Sequence, residues 1–212
     1  MSFLSILFEQ GGYATYLIII AGLTLLVIGS ERLAVLFFVL SHNTHSSLES
    51  IRSLILEKKY TDAIQVCNAN PNAPDIAIVK AGLMAVENGR EAMRSAIGGA
   101  VLSVGHRCDI RVGYLALIAN VATLLGLLGT ISGLIKTFAS IANADTAEKA
   151  KMLGMGISEA MYATATGLCV GIAAMVVHTI CTSRADSIIG NAQDTGLKLI
   201  TWVEQSERAY RA

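Results

Sequence analysis

Three long apolar runs set the pattern of the chain: Tyr13 to Ser30, Gly113 to about Ile135, and Gly156 to Thr182. Each is long enough to cross a hydrocarbon core as a helix, which takes about 20 residues. Tyr13 and Tyr16 open the first run, where an interfacial aromatic belt would lie, and Glu31 and Arg32 close it. LAVLFFVL follows, so the helix is expected to continue to residue 40, with Leu33 to Leu40 buried against other protein. Phe3 to Phe8 reads as a short amphipathic piece on the opposite interface. Between the first two long runs the composition becomes that of a soluble segment. Leu48, Ile51, Leu54 and Ile55, then Ala63, Ile64 and Cys67, recur at helical spacing. They predict helices over 47–59 and 61–70, the second capped by Thr61. Asn70 to Pro74 holds both prolines of the chain and predicts a turn. Further helices are expected over 76–86 and 91–111, parted by Asn88-Gly89, and no β-type alternation stands out.

The expected fold is an all-α membrane protein with three transmembrane helices. A helical cytoplasmic segment follows the first, and long helices extend into the cytoplasm. Residues 1–12 form a periplasmic or interfacial segment and 13–40 the first span with its inner extension. Residues 41–112 are cytoplasmic, 113–138 the second span, 139–155 a short periplasmic connection, 156–182 the third span and 183–212 a cytoplasmic C-terminal helix. Basic residues set the orientation. Arg52, Lys58, Lys59, Lys80, Arg90, Arg94, Arg107 and Arg111 follow the first span, and the tail adds four more. The first twelve residues carry none, so the N-terminus is expected outside and the C-terminus in the cytoplasm. The same twelve residues lack the basic start and small-residue cleavage site of a removable signal peptide.

Composition sharpens this picture by exclusion. Sixteen bases balance sixteen acids, which gives no case for a nucleic-acid partner. Cys67, Cys108, Cys169 and Cys181 are scattered without CxxC spacing, and read as small apolar packing residues rather than disulfides or metal ligands. No P-loop, GxSxG, HExxH or Cys/His ligand cluster is present, so neither an enzyme site nor a cofactor is expected.

The second and third runs are unusually polar inside. Thr123, Gly126, Thr130, Gly133 and Thr137 fall three or four residues apart, on one stripe of a helix. Gly129 lies beside them. Thr164, Gly167 and Gly171 make a similar stripe in the third run, with Thr166 close by. Small residues let helices approach, and threonine hydroxyls can bond back to their own backbone, so packing alone explains either stripe. Two such stripes on consecutive spans also suit the walls of a polar path. Glu159 is the one acid within an apolar run beyond its first residues: a functional candidate by the cost of burying charge, or a hydrated headgroup-level residue. Lys136 reads as a snorkelling residue. Glu31 and Arg32 are either an internal pair at the inner boundary or two separately solvated groups. No Asp, Glu, Lys or Arg lies near the middle of any span, so a chain that moves protons would need a carboxylate from elsewhere.

GLLGTISGLIKTF (Gly126 to Phe138) followed by GISEAMYATATGLCVGI (Gly156 to Ile172) resembles the paired signature of the MotA/TolQ/ExbB proton-channel family. EKKYTDAIQVCNANPNAPDIAIVKAGL (Glu57 to Leu83) and Glu31-Arg32 are similar to the same family, and three spans match its TolQ/ExbB branch. The resemblance implies a bacterial inner-membrane homo-oligomer, a pentamer, enclosing single-span subunits of the TolR/ExbD/MotB type. The partner's transmembrane Asp would carry protons past polar residues of spans two and three, turning proton-motive force into mechanical work on the cell envelope. Position by position, Thr130 and Thr164 match the family's pore threonines and Glu159 the acid of its SEA-type motif. Where family members often have proline, this chain has Thr123 and Ala173 or Ala174. The added hydroxyls of Thr123 and Thr166 leave Na⁺ open beside H⁺ as the coupling ion. A membrane scaffold that binds partner helices and conducts nothing is the first alternative, and a self-contained transporter the second.

Overall fold

A computed structural model describes residues 12–40, 45–70, 73–142 and 145–211. Phe3 to Phe8, and Pro71 and Asn72 of the expected turn, lie outside the described residues. Helix α1 spans Gly12–Ala34 and passes into a π-helical turn at Val35–Val39. Then come α2 (His45–Leu56), α3 (Tyr60–Ala69), α4 (Pro74–Met84), a 3₁₀ turn at Val86–Asn88 and α5 (Arg90–Asp109). Helix α6 spans Val112–Ile141 and α7 spans Thr146–Arg211. The described residues contain no strand, and three of their helices are long and apolar enough to cross a membrane.

Several boundaries differ from the sequence expectation for identifiable reasons. Helix α3 begins at Tyr60 with Lys59 in the cap position, so Thr61 lies inside the first turn and caps nothing. Pro74 opens α4 at its first turn, where its missing N–H has no partner to lose. Gly89, at φ 95°, ends the 3₁₀ turn and starts α5, a backbone angle that favours glycine. Helix α6 runs on to Ile141 and α7 begins at Thr146, so most of the 139–155 stretch is helical. Nothing breaks α7 between its apolar and polar halves, because 66 residues pass without a proline.

The chain divides into two compact units. One contains residues up to Glu31 and from Arg111 to Ile180, and so holds most of α1, all of α6 and the first half of α7. Its helices meet through small residues. Gly22 and Gly29 of α1 face Val170 and Val177 of α7, at 3.5 and 3.3 Å from where a Cβ would stand. Glu31 reaches beyond its own helix. Both its carboxylate oxygens accept hydrogen bonds of 2.7 Å from Nη1 of Arg111, the residue that leads into α6. Both partners are partly exposed, so the pair contributes under about 1 kcal/mol.

The other unit contains Arg32 to Ile110 and Cys181 to Ala212. Its core is built from Leu36, Ile51, Ile55, Cys67, Ile76, Ile78, Val79, Cys108 and Leu199, all buried. Leu36 and Leu40 of the inner extension are buried, whereas Phe37, Phe38 and Val39 are exposed. The tail of α7 docks on α4 and α5. A Cβ on Gly82 would come within 2.5 Å of Leu199, and one on Gly196 within 2.7 Å of Ile97. Arg90, at the start of α5, pairs with Glu204 and Glu207 at 3.3 and 3.2 Å. Leu197 of the tail points outward. All four cysteines are free thiols. Burial pushes the Cys67 thiol up to about 11 and raises that of Cys108, so both stay protonated at neutral pH and act as small apolar groups.

Candidate functional site: the seam between the second and third spans

Helices α6 and α7 meet along a seam of glycine, alanine and threonine. The contacts pair in opposite order along the two helices, so they run antiparallel. A Cβ on Gly171 would lie 2.5 Å from the Thr123 hydroxyl, and one on Gly167 would lie 2.6 Å from the Ala122 carbonyl oxygen. Further along, Gly126 stands against Thr164 and Ala163, Gly129 against Ala163 and Ala14, and Gly133 against Ala160. At the far end a side chain on Gly156 would overlap Thr137. Glycine is required here by close approach, not by backbone angle. Dispersion and backbone proximity, rather than a hydrophobic drive, hold such helices together in lipid.

The threonines divide into one that bridges and several that bond at home. Thr164 Oγ1 donates to the carbonyl of Gly126 at 2.9 Å, a hydrogen bond from one helix to the other. Thr123 donates to Ala119 O at 2.9 Å, Thr130 to Leu127 O at 2.7 Å and Thr137 to Gly133 O at 2.7 Å, all within α6. Thr166 donates to Tyr162 O at 2.7 Å within α7. Being two residues from Thr164, it faces away from the Thr164–Gly167–Gly171 stripe. In each case the hydroxyl proton is engaged while the oxygen can still accept.

Glu159 is half-buried and lines two clefts. The larger, about 320 Å³, is walled by Tyr13 and Ala14 of α1, Gly129, Ser132, Gly133, Ile135 and Lys136 of α6, and Glu159 and Ala163 of α7. The smaller, about 200 Å³, adds Thr137, Ser140, Met152, Met155 and Gly156. Gly133, Lys136 and Glu159 belong to both. The structure thus joins Gly126, Thr164 and Gly167 at mid-seam, and has Glu159 line a cleft near one end that Lys136 and Ser132 also line. Sequence reasoning missed Gly156, Ala160, Ala163 and Ala14 as seam residues. Extending the antiparallel register from Gly167–Gly126 by one helical turn at a time would have found the first three.

The model of the MotA/TolQ/ExbB proton channel family matches residues 70–194, more than half of the 212-residue chain and all of the seam. The chain belongs to this family. Among MotA/TolQ/ExbB relatives, it is 33% identical over 100 residues to the biopolymer transport protein ExbB of Salmonella typhimurium, covering 47% of this chain and 41% of that protein. To the Tol-Pal system protein TolQ of Haemophilus influenzae it is 34% identical over 119 residues, 56% of this chain and 46% of TolQ. The chain therefore spans less than half the length of these curated relatives. The fold is similar to that of a chain in the C. jejuni MotAB structure, with a TM-score of 0.56 and 17% identity over 94% of this chain and 78% of the other. Family membership and three apolar helices make it a multi-pass membrane protein.

Proposed function

We propose that this chain is the ring-forming subunit of an ion-driven motor in the bacterial inner membrane. In this reading copies of the chain, a pentamer by family resemblance, surround single-span subunits of the TolR/ExbD/MotB type. Each partner span contributes an Asp that carries protons past Thr130 and Thr164, with Thr123 and Thr166 as further hydroxyls on the path. Glu159 serves the entry or exit end. The flow of protons is converted to mechanical work on the cell envelope. The N-terminus is periplasmic, and the 41–112 segment and the tail are cytoplasmic, as the distribution of Lys and Arg favours.

One observation carries this reading. The two spans that hold the family signature are locked together along a hydroxyl-bearing seam with no acid at its middle, and one carboxylate, Glu159, lines clefts at one end. Such a pair supplies surface and hydroxyls for a path but not the titrating group at the midplane. The engaged hydroxyl protons favour the scaffold alternative, since every threonine named above already has a backbone acceptor. Glu159→Gln separates the two. It removes the charge and keeps the shape, so proton flux through the reconstituted complex should fall by about tenfold or more, within the range of losing one acid–base group. Wild-type flux in that variant would leave Glu159 as an interfacial residue.

A further inference from the structure

We propose that the clefts lined by Lys136 and Glu159 hold the headgroup of a zwitterionic phospholipid, phosphatidylethanolamine, with an acyl chain lying along α6. The inference goes beyond the motor reading and does not rest on it. Lys136 and Glu159 line the same two clefts from different helices, yet no ion pair joins them. Among the described residues, neither makes a hydrogen bond or an ion pair with any other. Glu159 is half-buried, so its carboxylate has lost part of its hydration with no group of the chain to replace it. A cleft that carries a cation on one wall and an anion on another, each unengaged, is complementary to a ligand with both charges.

Phosphoethanolamine carries a phosphate and an ammonium joined by an ethylene linker. Its phosphate accepts from the Lys136 ammonium, and its own N–H donors go to the Glu159 carboxylate, both charge-assisted bonds. Ser132 in the larger cleft and Ser140 in the smaller add hydroxyls. Two observations make the ligand a lipid rather than a soluble zwitterion. Tyr13, Lys136 and Glu159 lie where the three apolar runs begin or end, at one end of the spans, the depth of the headgroups. Ile135, which lines the larger cleft, also opens a stripe with Ile131, Leu128 and Leu124, three or four residues apart and each half exposed or more. That stripe leads from the cleft toward mid-span and offers an acyl chain an apolar track. Other headgroups fit less well. Phosphatidylglycerol brings a phosphate but no cation, and Glu159 repels its charge. Phosphatidylcholine brings a cation without an N–H, so it cannot hydrogen-bond the carboxylate.

Native mass spectrometry of the full chain, with dioleoyl phosphatidylethanolamine, phosphatidylcholine and phosphatidylglycerol in equal amounts, reads which lipid is retained. The wild type should retain phosphatidylethanolamine over each of the others by about fivefold, the upper end for a partly exposed charge pair. Glu159→Gln should lose the preference over phosphatidylcholine, and Glu159→Asp should keep it. Lys136→Gln should weaken retention of all three lipids alike, because all three carry the phosphate. Lys149→Gln, a charge that lines neither cleft, should behave as wild type. Equal retention of the three lipids by the wild type would overturn the proposal, leaving only solvation by bulk lipid. So would a phosphatidylethanolamine preference that survives Glu159→Gln. Glycerophosphoethanolamine, the same headgroup without acyl chains, should not displace the lipid at equal concentration; if it does, the α6 stripe plays no part and the lipid assignment falls. Retention needs no partner subunit, so its failure is distinct from failure of the motor reading, which shows as absence of proton flux in the complex.

Discussion

Replacing Gly167 by alanine should pull α6 away from α7 and destabilise the fold by about 1–3 kcal/mol, the usual cost of forcing an extra carbon into a filled interior. The new Cβ would lie 2.6 Å from Ala122 O, 2.8 Å from Gly126 Cα and 3.1 Å from Gly126 N. All three are backbone atoms, so no side chain can rotate aside and the helices themselves must move. That shift would also lengthen the Thr164–Gly126 hydrogen bond, now 2.9 Å. Gly190→Ala supplies the matched control in the same helix, because nothing lies within 4 Å of its missing Cβ. The control should be neutral, or more stable by up to about 1 kcal/mol from helix propensity. Thermal unfolding in detergent compares the two. Equal midpoints for Gly167→Ala and Gly190→Ala would show that the seam is not tightly closed.

Converting Thr130 and Thr164 together to valine should cost little stability and most of the ion flux. Valine keeps the shape of threonine and removes the hydroxyl. Only one of the two hydroxyls bridges helices, and an interhelical bond of this kind in lipid is worth about 1 kcal/mol or less. Thr130 bonds its own helix at Leu127 O, so its loss is smaller still. If the hydroxyl oxygens serve the path, flux should drop by more than about tenfold while the unfolding midpoint barely moves, a split that follows from removing a group needed only during transfer. A scaffold predicts the reverse: flux does not depend on the hydroxyls, and any defect follows stability. Flux and thermal unfolding measured on the same preparation tell these apart.

Much of this architecture was legible because membrane spans announce themselves by length and apolarity, as Tyr13 to Ser30 does. The soluble helices were legible through Ile51, Ile55, Ala63 and Cys67, whose spacing marks the faces that are in fact buried. Helix ends were less so. Thr61 looked like a cap because threonine often is one, but Tyr60 already belongs to the helix. The stripe from Thr123 to Thr137 could be seen as a stripe, yet one helix cannot reveal which residues of another it meets. The Gly156–Thr137 and Gly133–Ala160 contacts depend on register between helices, which is a property of the pair. Glu31 shows the same limit: it bonds Arg111, 80 positions away, and nothing in its own helix foretells that.

On this account the chain supplies the walls of a proton path while a single-span partner supplies the carrier. Reconstitution tests that division of labour most directly. Proton uptake driven by a potassium diffusion potential would be measured in liposomes holding the chain alone, the chain with a single-span partner that bears a transmembrane Asp, and the chain with the same partner carrying Asn there. Flux should appear only with the Asp-bearing partner. Equal flux from the chain alone would contradict the account, because it would put the whole path, carrier included, within these 212 residues.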